Sequence, residues 1–146
     1  MVSGSRAARA RALLVLALTA CCGRQAAAVA ARGAAVVPAP LVGRWSRTVT
    51  AADIQRTGSL TFQPGTVCKL TIARPRAVTI DCAKGIGVFQ GSIEVVGAGR
   101  VHFDLGTPGA NVYRWHVEGA KLTFVKVRET VPDRETGLEG VWRRPA

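Results

Sequence analysis

Cysteines, histidines and a handful of carboxylates are the residues of this chain with chemistry to offer. Cys68, Cys82, His102 and His116 carry the donor types of a zinc site. Zinc requires four such donors to converge within about 2.3 Å of one point. The strand frame set out below turns both histidines outward and both cysteines inward, so no metal or other cofactor is expected. The same frame sets Cys68 opposite Cys82, which predicts a disulfide in an oxidising compartment, with two packed free thiols as the alternative. Asp81, Glu94 and Asp104 project outward beside cationic or polar partners. The sequence contains neither a Gly-x-Ser-x-Gly elbow nor a glycine-rich phosphate loop, and the chain reads as a non-enzyme. Lys126 falls on the inward face opposite Tyr113, where it either meets the carboxylate of a ligand or snorkels to solvent.

The elements that position these residues are short runs of alternating apolar and polar residues from Leu41 onward, punctuated by Gly, Pro and Asn every eight to twelve residues. That spacing predicts an all-β sandwich or barrel. Folding about Pro75 pairs Cys68 with Cys82, Leu70 with Ile80 and Ile72 with Val78 inside, and Lys69 with Asp81 outside. Folding about Ala98 sets Ile93 against Phe103 and Val95 against Val101, with Glu94 facing His102 outside. Laying 100–105 on 113–118 pairs Phe103 with Trp115 and Leu105 with Tyr113 inside, and Arg100 with Glu118, Asp104 with Arg114 and His102 with His116 outside. Complementary faces of this kind fix a register, because a one-residue slip exchanges them. A turn at Pro64-Gly65 is expected to place Phe62 opposite Cys68 and Leu60 opposite Leu70. The Glu118-Gly119-Ala120 turn returns the chain with Leu122 facing Val117 and Phe124 facing Trp115.

Closure has its own signal. Leu41-x-Gly43-x-Trp45-x-Arg47 and Leu138-x-Gly140-x-Trp142-x-Arg144 share one frame, and we read them as neighbouring strands in which Gly43, Gly140, Trp45, Trp142 and Arg144 close the barrel. Thr50-Ala-Ala-Asp53 has the form of a capping box with Asp in the Glu position, opening a short helix that ends at Gly58. Pro132 to Gly137 reads as a loop. The fold expected over 41–146 is therefore an antiparallel up-and-down barrel of about eight or nine strands, with one short helix after the first strand.

The front of the chain is of another kind. Arg6, Arg9 and Arg11 precede an uninterrupted apolar run over 12–20, the layout of a signal peptide. The run falls short of the roughly 20 residues that span a bilayer. Leu18-Thr19-Ala20-Cys21 resembles the bacterial lipobox, which predicts cleavage after Ala20 and a lipid on Cys21. The alternative is cleavage near Ala26 to Ala31 and free secretion. Cys22 has no assigned role. Residues 21–40, with no aromatic residue and two closing prolines, read as a flexible tether. The expected location is the outer face of a bacterial cell membrane. The formal net charge of +11 falls to +8 when residues 1–20 are removed. Such a balance favours anionic neighbours, but no nucleic-acid motif accompanies it.

Gly43-x-Trp45 in the first strand, Arg143 or Arg144 beside the last one, and the meander between them resemble the calycin group, in particular small bacterial lipocalin-like proteins. The resemblance covers 41–146 and implies that the late arginine packs over the tryptophan ring. It also implies a barrel that binds a small apolar or amphipathic ligand among Trp45, Phe89, Phe103, Tyr113, Trp115, Phe124, Lys126 and Trp142. The domain is shorter than ordinary lipocalins, and its helix follows the first strand instead of the last. Around eight strands leave an interior that side chains can fill or that holds one small ligand. The second functional reading is thus a cavity-free barrel that contacts anionic polymers or a protein partner at the cell envelope. In either case the protein is expected to act as a monomer held to the membrane by its lipid.

Overall fold

Alternation of apolar and polar residues at period two gives each strand one wet and one dry face, and in this chain the dry faces close on themselves. The computed structural model describes residues 35–146. Eight strands run in order: β1 (Gly43–Thr48), β2 (Val67–Ala73), β3 (Ala77–Cys82), β4 (Gly87–Gly97), β5 (Arg100–Asp104), β6 (Asn111–Glu118), β7 (Lys121–Glu129) and β8 (Gly140–Arg143). Each pairs antiparallel with the next, and β8 returns to β1 through Ser46 and Arg143, giving a closed barrel. The leader, Cys21, Cys22 and the tether as far as residue 34 lie outside the described residues. The end of the expected tether belongs to the fold: Val37 is buried, and its N–H donates to the carbonyl of Pro75 at 3.2 Å.

Three expected hairpins form in the expected register. β2 and β3 pair Cys68 with Cys82, Leu70 with Ile80 and Ile72 with Val78, and the two cysteines are joined in a disulfide. β4 and β5 pair Ile93 with Phe103 and Glu94 with His102, with a bulge between Val95 and Gly97. β6 and β7 pair Trp115 with Phe124 and Val117 with Leu122.

Two expected pairings are corrected. β5 meets β6 four positions away from the sequence-based register, with Val101 opposite Tyr113 and Arg100 opposite Arg114. The expected contacts Phe103–Trp115, Arg100–Glu118, Asp104–Arg114 and His102–His116 are therefore not made in register. The cause is Asn111. Its side-chain amide accepts from the N–H of Phe103 at 2.7 Å and donates to the carbonyl of Phe103 at 2.8 Å, so a side chain takes the place of a strand residue. An even shift preserves the faces, and Phe103 and Tyr113 remain inside. The Pro64-Gly65 hairpin does not form either. The edge of β2 that it would occupy belongs to β1, with Trp45 opposite Leu70 and Gly43 opposite Ile72. Phe62 is still buried, but Leu60 is 99% exposed.

Helix α1 (Ala51–Thr57) follows β1 as expected. The hydroxyl of Thr50 accepts from the N–H of Asp53, the carboxylate of Asp53 accepts from the N–H of Thr50, and Gly58 ends the helix in the left-handed conformation. Pro132–Leu138, expected as a loop, is a second helix, α2, with proline in its first turn and Asp133 and Glu135 beside it. A proline there sacrifices only an N–H without a helical partner, and acidic side chains complement the helix dipole.

Antiparallel order sends the connections to two ends. At the capped end lie α1, residues 59–66, α2 and the loops after β3 and β5. At the turn end lie the β2–β3, β4–β5 and β6–β7 turns and both termini of the described chain, tied together by Val37 N–H to Pro75 O and by Arg144 N–H to Ala120 O at 2.9 Å.

Candidate functional site

Large rings pack the barrel interior. Trp45, Phe103, Tyr113, Phe124 and Trp142 are at most 1% exposed and belong to one continuous core. Phe103 packs edge-on against Tyr113 and Phe124, with ring centroids 5.8 and 5.4 Å away. These five expected ligand-binding residues therefore belong to the core, and none of them lines the cavity described below. Trp115 is half-buried near the turn end. Lys126 is the register partner of Tyr113, but its ammonium bonds Glu135 of α2 at 2.7 Å instead of facing an interior ligand. Of the expected set, Phe89 lines the cavity described below.

The repeated frame closes the barrel through reciprocal contacts. The indole N–H of Trp45 donates to the carbonyl of Leu41 at 3.0 Å, and that of Trp142 to the carbonyl of Leu138 at 2.9 Å. Arg144 stands 4.3 Å from the Trp45 ring centroid, and Arg47 stands 5.8 Å from that of Trp142. Each arginine lies over the glycine of its own partner's frame. A Cβ on Gly43 would come within 2.7 Å of the Arg144 guanidinium, and one on Gly140 within 3.1 Å of that of Arg47. Both glycines also have positive φ, +140° and +122°. Gly43→Ala and Gly140→Ala are each expected to lower stability by about 1–3 kcal/mol through strain and displacement of the arginine, read as a lower urea midpoint with an unchanged slope.

Arg47 also ties the closure to the cap. It donates to the carbonyls of Thr136, at 3.1 Å, and of Glu139, and pairs with Asp53 of α1 at 2.9 Å. Burial pulls the Arg47 pKa down against these acceptors.

α2 is fastened over the barrel mouth by two acids, the half-buried Asp133 and the buried Glu129. Asp133 accepts from the hydroxyls of Ser59 and Thr61, which draws residues 59–62 beneath the helix and turns Phe62 inward. Burial alone would raise the Asp133 pKa, but the hydroxyls of Ser59 and Thr61 and nearby backbone N–H groups bring it below the ordinary value. Glu129, whose side chain is fully buried, accepts from the Tyr113 hydroxyl, from the Arg134 guanidinium at 2.7 and 2.9 Å and from the N–H groups of Thr130 and Val131. Arg134 spends its other donors on the carbonyls of Thr107 and Gly109 at 2.8 and 3.3 Å.

Between this cap and the barrel lies a cavity of about 220 Å³. Phe62, Ile80, Ile86, Phe89, Leu105 and Leu138 form its apolar wall, with Asp133 and Arg134 at its edge. The two charged groups already have partners within the protein, so what faces the void is chiefly carbon. A cavity of about 150 Å³ with such walls stays dry and takes benzene or xenon. This one suits a ring with a few further carbons. Of the residues expected to bind a ligand only Phe89 is among the lining residues, because the wall joins the inward faces of Ile80 and Leu105 to Phe62, Ile86 and Leu138, which tertiary contacts of the cap bring over them. Among the described residues, no group of three or more His, Cys, Asp or Glu side chains gathers as a metal site, and no helix is long and apolar enough to cross a membrane. No protein-family model, curated protein or solved structure matches the chain.

Proposed function

We propose that this is an exported, lipid-anchored, non-enzymatic barrel protein that takes a small apolar molecule into the cavity beneath α2. The observation that carries the binding reading is the apolar cavity whose polar edge is already satisfied. A polar ligand would have to displace Ser59 and Thr61 from Asp133, or Glu129 from Arg134, whereas an apolar one gains burial without breaking either. The acids and bases of the cap are engaged with one another or, for Asp133, with the hydroxyls of Ser59 and Thr61, which supports a carrier rather than a catalyst. Export is supported by the basic-then-apolar leader, by the lipobox at Cys21 and by the Cys68–Cys82 disulfide, a bond that persists in oxidising compartments. A closed barrel has no free sheet edge to pair with another chain, which fits a monomer. The rings packed against one another inside the barrel favour a second reading, in which the barrel is an envelope interaction module and the cavity a packing defect.

Native mass spectrometry of the protein purified from its own host separates the two. The expected result is a chain beginning at a diacylated Cys21 with a small apolar molecule retained, and loss of that molecule, without loss of thermal stability, in Ile86→Trp, which fills the cavity. Repeated recovery of empty protein would count against carriage. A chain beginning within 26–31 would establish free secretion in place of the anchor.

A further inference from the structure

The charge of the described domain is sorted between its two ends. Residues 35–146 hold fifteen basic and nine acidic side chains. The capped end has seven of each sign, and Arg47, Arg56, Lys126 and Arg134 are engaged there with Asp53, Glu129, Glu135 and Glu139. The turn end and the strand halves leading to it have eight basic residues against Glu94 and Glu118 alone. All of the domain's net charge of +6 therefore sits at one end. Arg74, Arg100, Lys121 and Arg143 are exposed there, at turn flanks and at the close of β8, and Arg76–Glu94 is that end's one ion pair among the described residues.

The chain enters the barrel at this same end. Val37 is bonded to the β2–β3 turn, so the first described residue, Ala35, stands within two residues of the basic face. We infer that the turn end docks on an anionic phospholipid surface, with the cavity held at the far side, away from the bilayer. The inference builds on the export reading only in giving the protein a membrane to meet. The fourteen steps from Cys21 to Ala35 reach at most about 45–50 Å, so an anchored domain remains close to the head groups. Anionic leaflets attract basic residues within roughly a Debye length, about 8 Å in physiological salt. Guanidinium groups on short turns can approach to that distance, and the balanced capped end gains nothing by doing so.

The test uses the full chain with Cys21→Ser and Cys22→Ser, which removes any lipid, so that its outcome is independent of the anchor that the intact mass decides. The chain is sedimented with vesicles of phosphatidylcholine alone and of phosphatidylcholine mixed with phosphatidylglycerol. Binding is expected to require phosphatidylglycerol and to weaken with salt. Arg74→Glu, Arg100→Glu and Lys121→Glu together should weaken it by about a hundredfold or more. Lys69→Glu, Lys84→Glu and Arg128→Glu together, at the capped end, should leave it nearly unchanged. All six positions are exposed, and circular dichroism checks that both triple variants keep the fold. Equal binding to the two vesicle types, or equal loss in both triple variants, would overturn the proposal. Binding to soluble polyphosphate with none to phosphatidylglycerol vesicles would overturn it in favour of an anionic polymer.

Discussion

Glu129→Ala is expected to remove about 3–5 kcal/mol of stability, the usual cost of leaving one member of a buried ion pair without its partner. Arg134 would keep its charge with its side chain 4% exposed and only carbonyl oxygens to meet it, and the Tyr113 hydroxyl would lose its acceptor inside the barrel mouth. Because Glu129 joins the end of β7 to α2 through Arg134, the loss should first appear as freeing of α2 and then as a lower urea midpoint. Glu129→Gln tests the electrostatic part, since it keeps the shape and some of the hydrogen bonds.

The same group gives a pH dependence whose sign is determined. Burial would raise the Glu129 pKa, but the Arg134 guanidinium, the Tyr113 hydroxyl and the N–H of Val131 together hold it below the ordinary glutamate value. Asp133 is lowered likewise by Ser59 and Thr61. A carboxyl whose pKa is depressed in the folded state contributes stability that is fully present above its unfolded pKa, near 4, and is lost as the pH falls through the folded value. The urea midpoint is therefore expected to change little from about pH 5 to 8 and to fall steeply below about pH 4. Glu129→Gln should be less stable near neutrality and show a shallower acid decline.

Trp142→Ala is expected to have a comparable effect, about 3–5 kcal/mol, as for other large rings removed from a core. Trp142 is fully buried, donates to Leu138 and supports Arg47, which in turn reaches Thr136, Glu139 and Asp53. The substitution thus opens a void where β8 meets β1 and loosens both helices of the cap. Trp45→Ala should cost a similar amount through packing, but its arginine, Arg144, contacts the carbonyls of Pro40 and Val42 near the chain's entry. Hydrogen exchange distinguishes them. Loss of Trp142 should expose amides of α1 and α2, and loss of Trp45 those of residues 37–42.

Much of the barrel was legible because period-two patterning and charge complementarity constrain local hairpins. Cys68–Cys82, Ile93–Phe103 and Trp115–Phe124 follow from folding adjacent runs at obvious turns. The repeated Leu-x-Gly-x-Trp-x-Arg frame identified the pair that closes the circle, although the sequence alone placed no role on Arg47. Register across β5 and β6 was illegible for a definite reason. A four-residue shift leaves every side chain on its own face, and what favours the observed pairing is the Asn111 amide, standing in for backbone beside Phe103. Residues 59–62 resemble a strand in pattern, but Asp133 binds Ser59 and Thr61 and pulls the segment onto the cap. The cavity was hidden for a related reason: tertiary contacts set Phe62, Ile86 and Leu138 over the strand residues Ile80 and Cys82, whereas most aromatic residues conspicuous in the sequence fill the core.

The central claim is that the space able to accept a ligand lies beneath α2 and not between the strands. A crystal structure determined under xenon pressure tests it most directly. Xenon is expected beside Phe62, Ile80 and Leu138, with the rings of Phe103, Tyr113 and Phe124 undisturbed. Xenon among those three rings, or a cavity without xenon because α2 has settled onto Phe62, would contradict it.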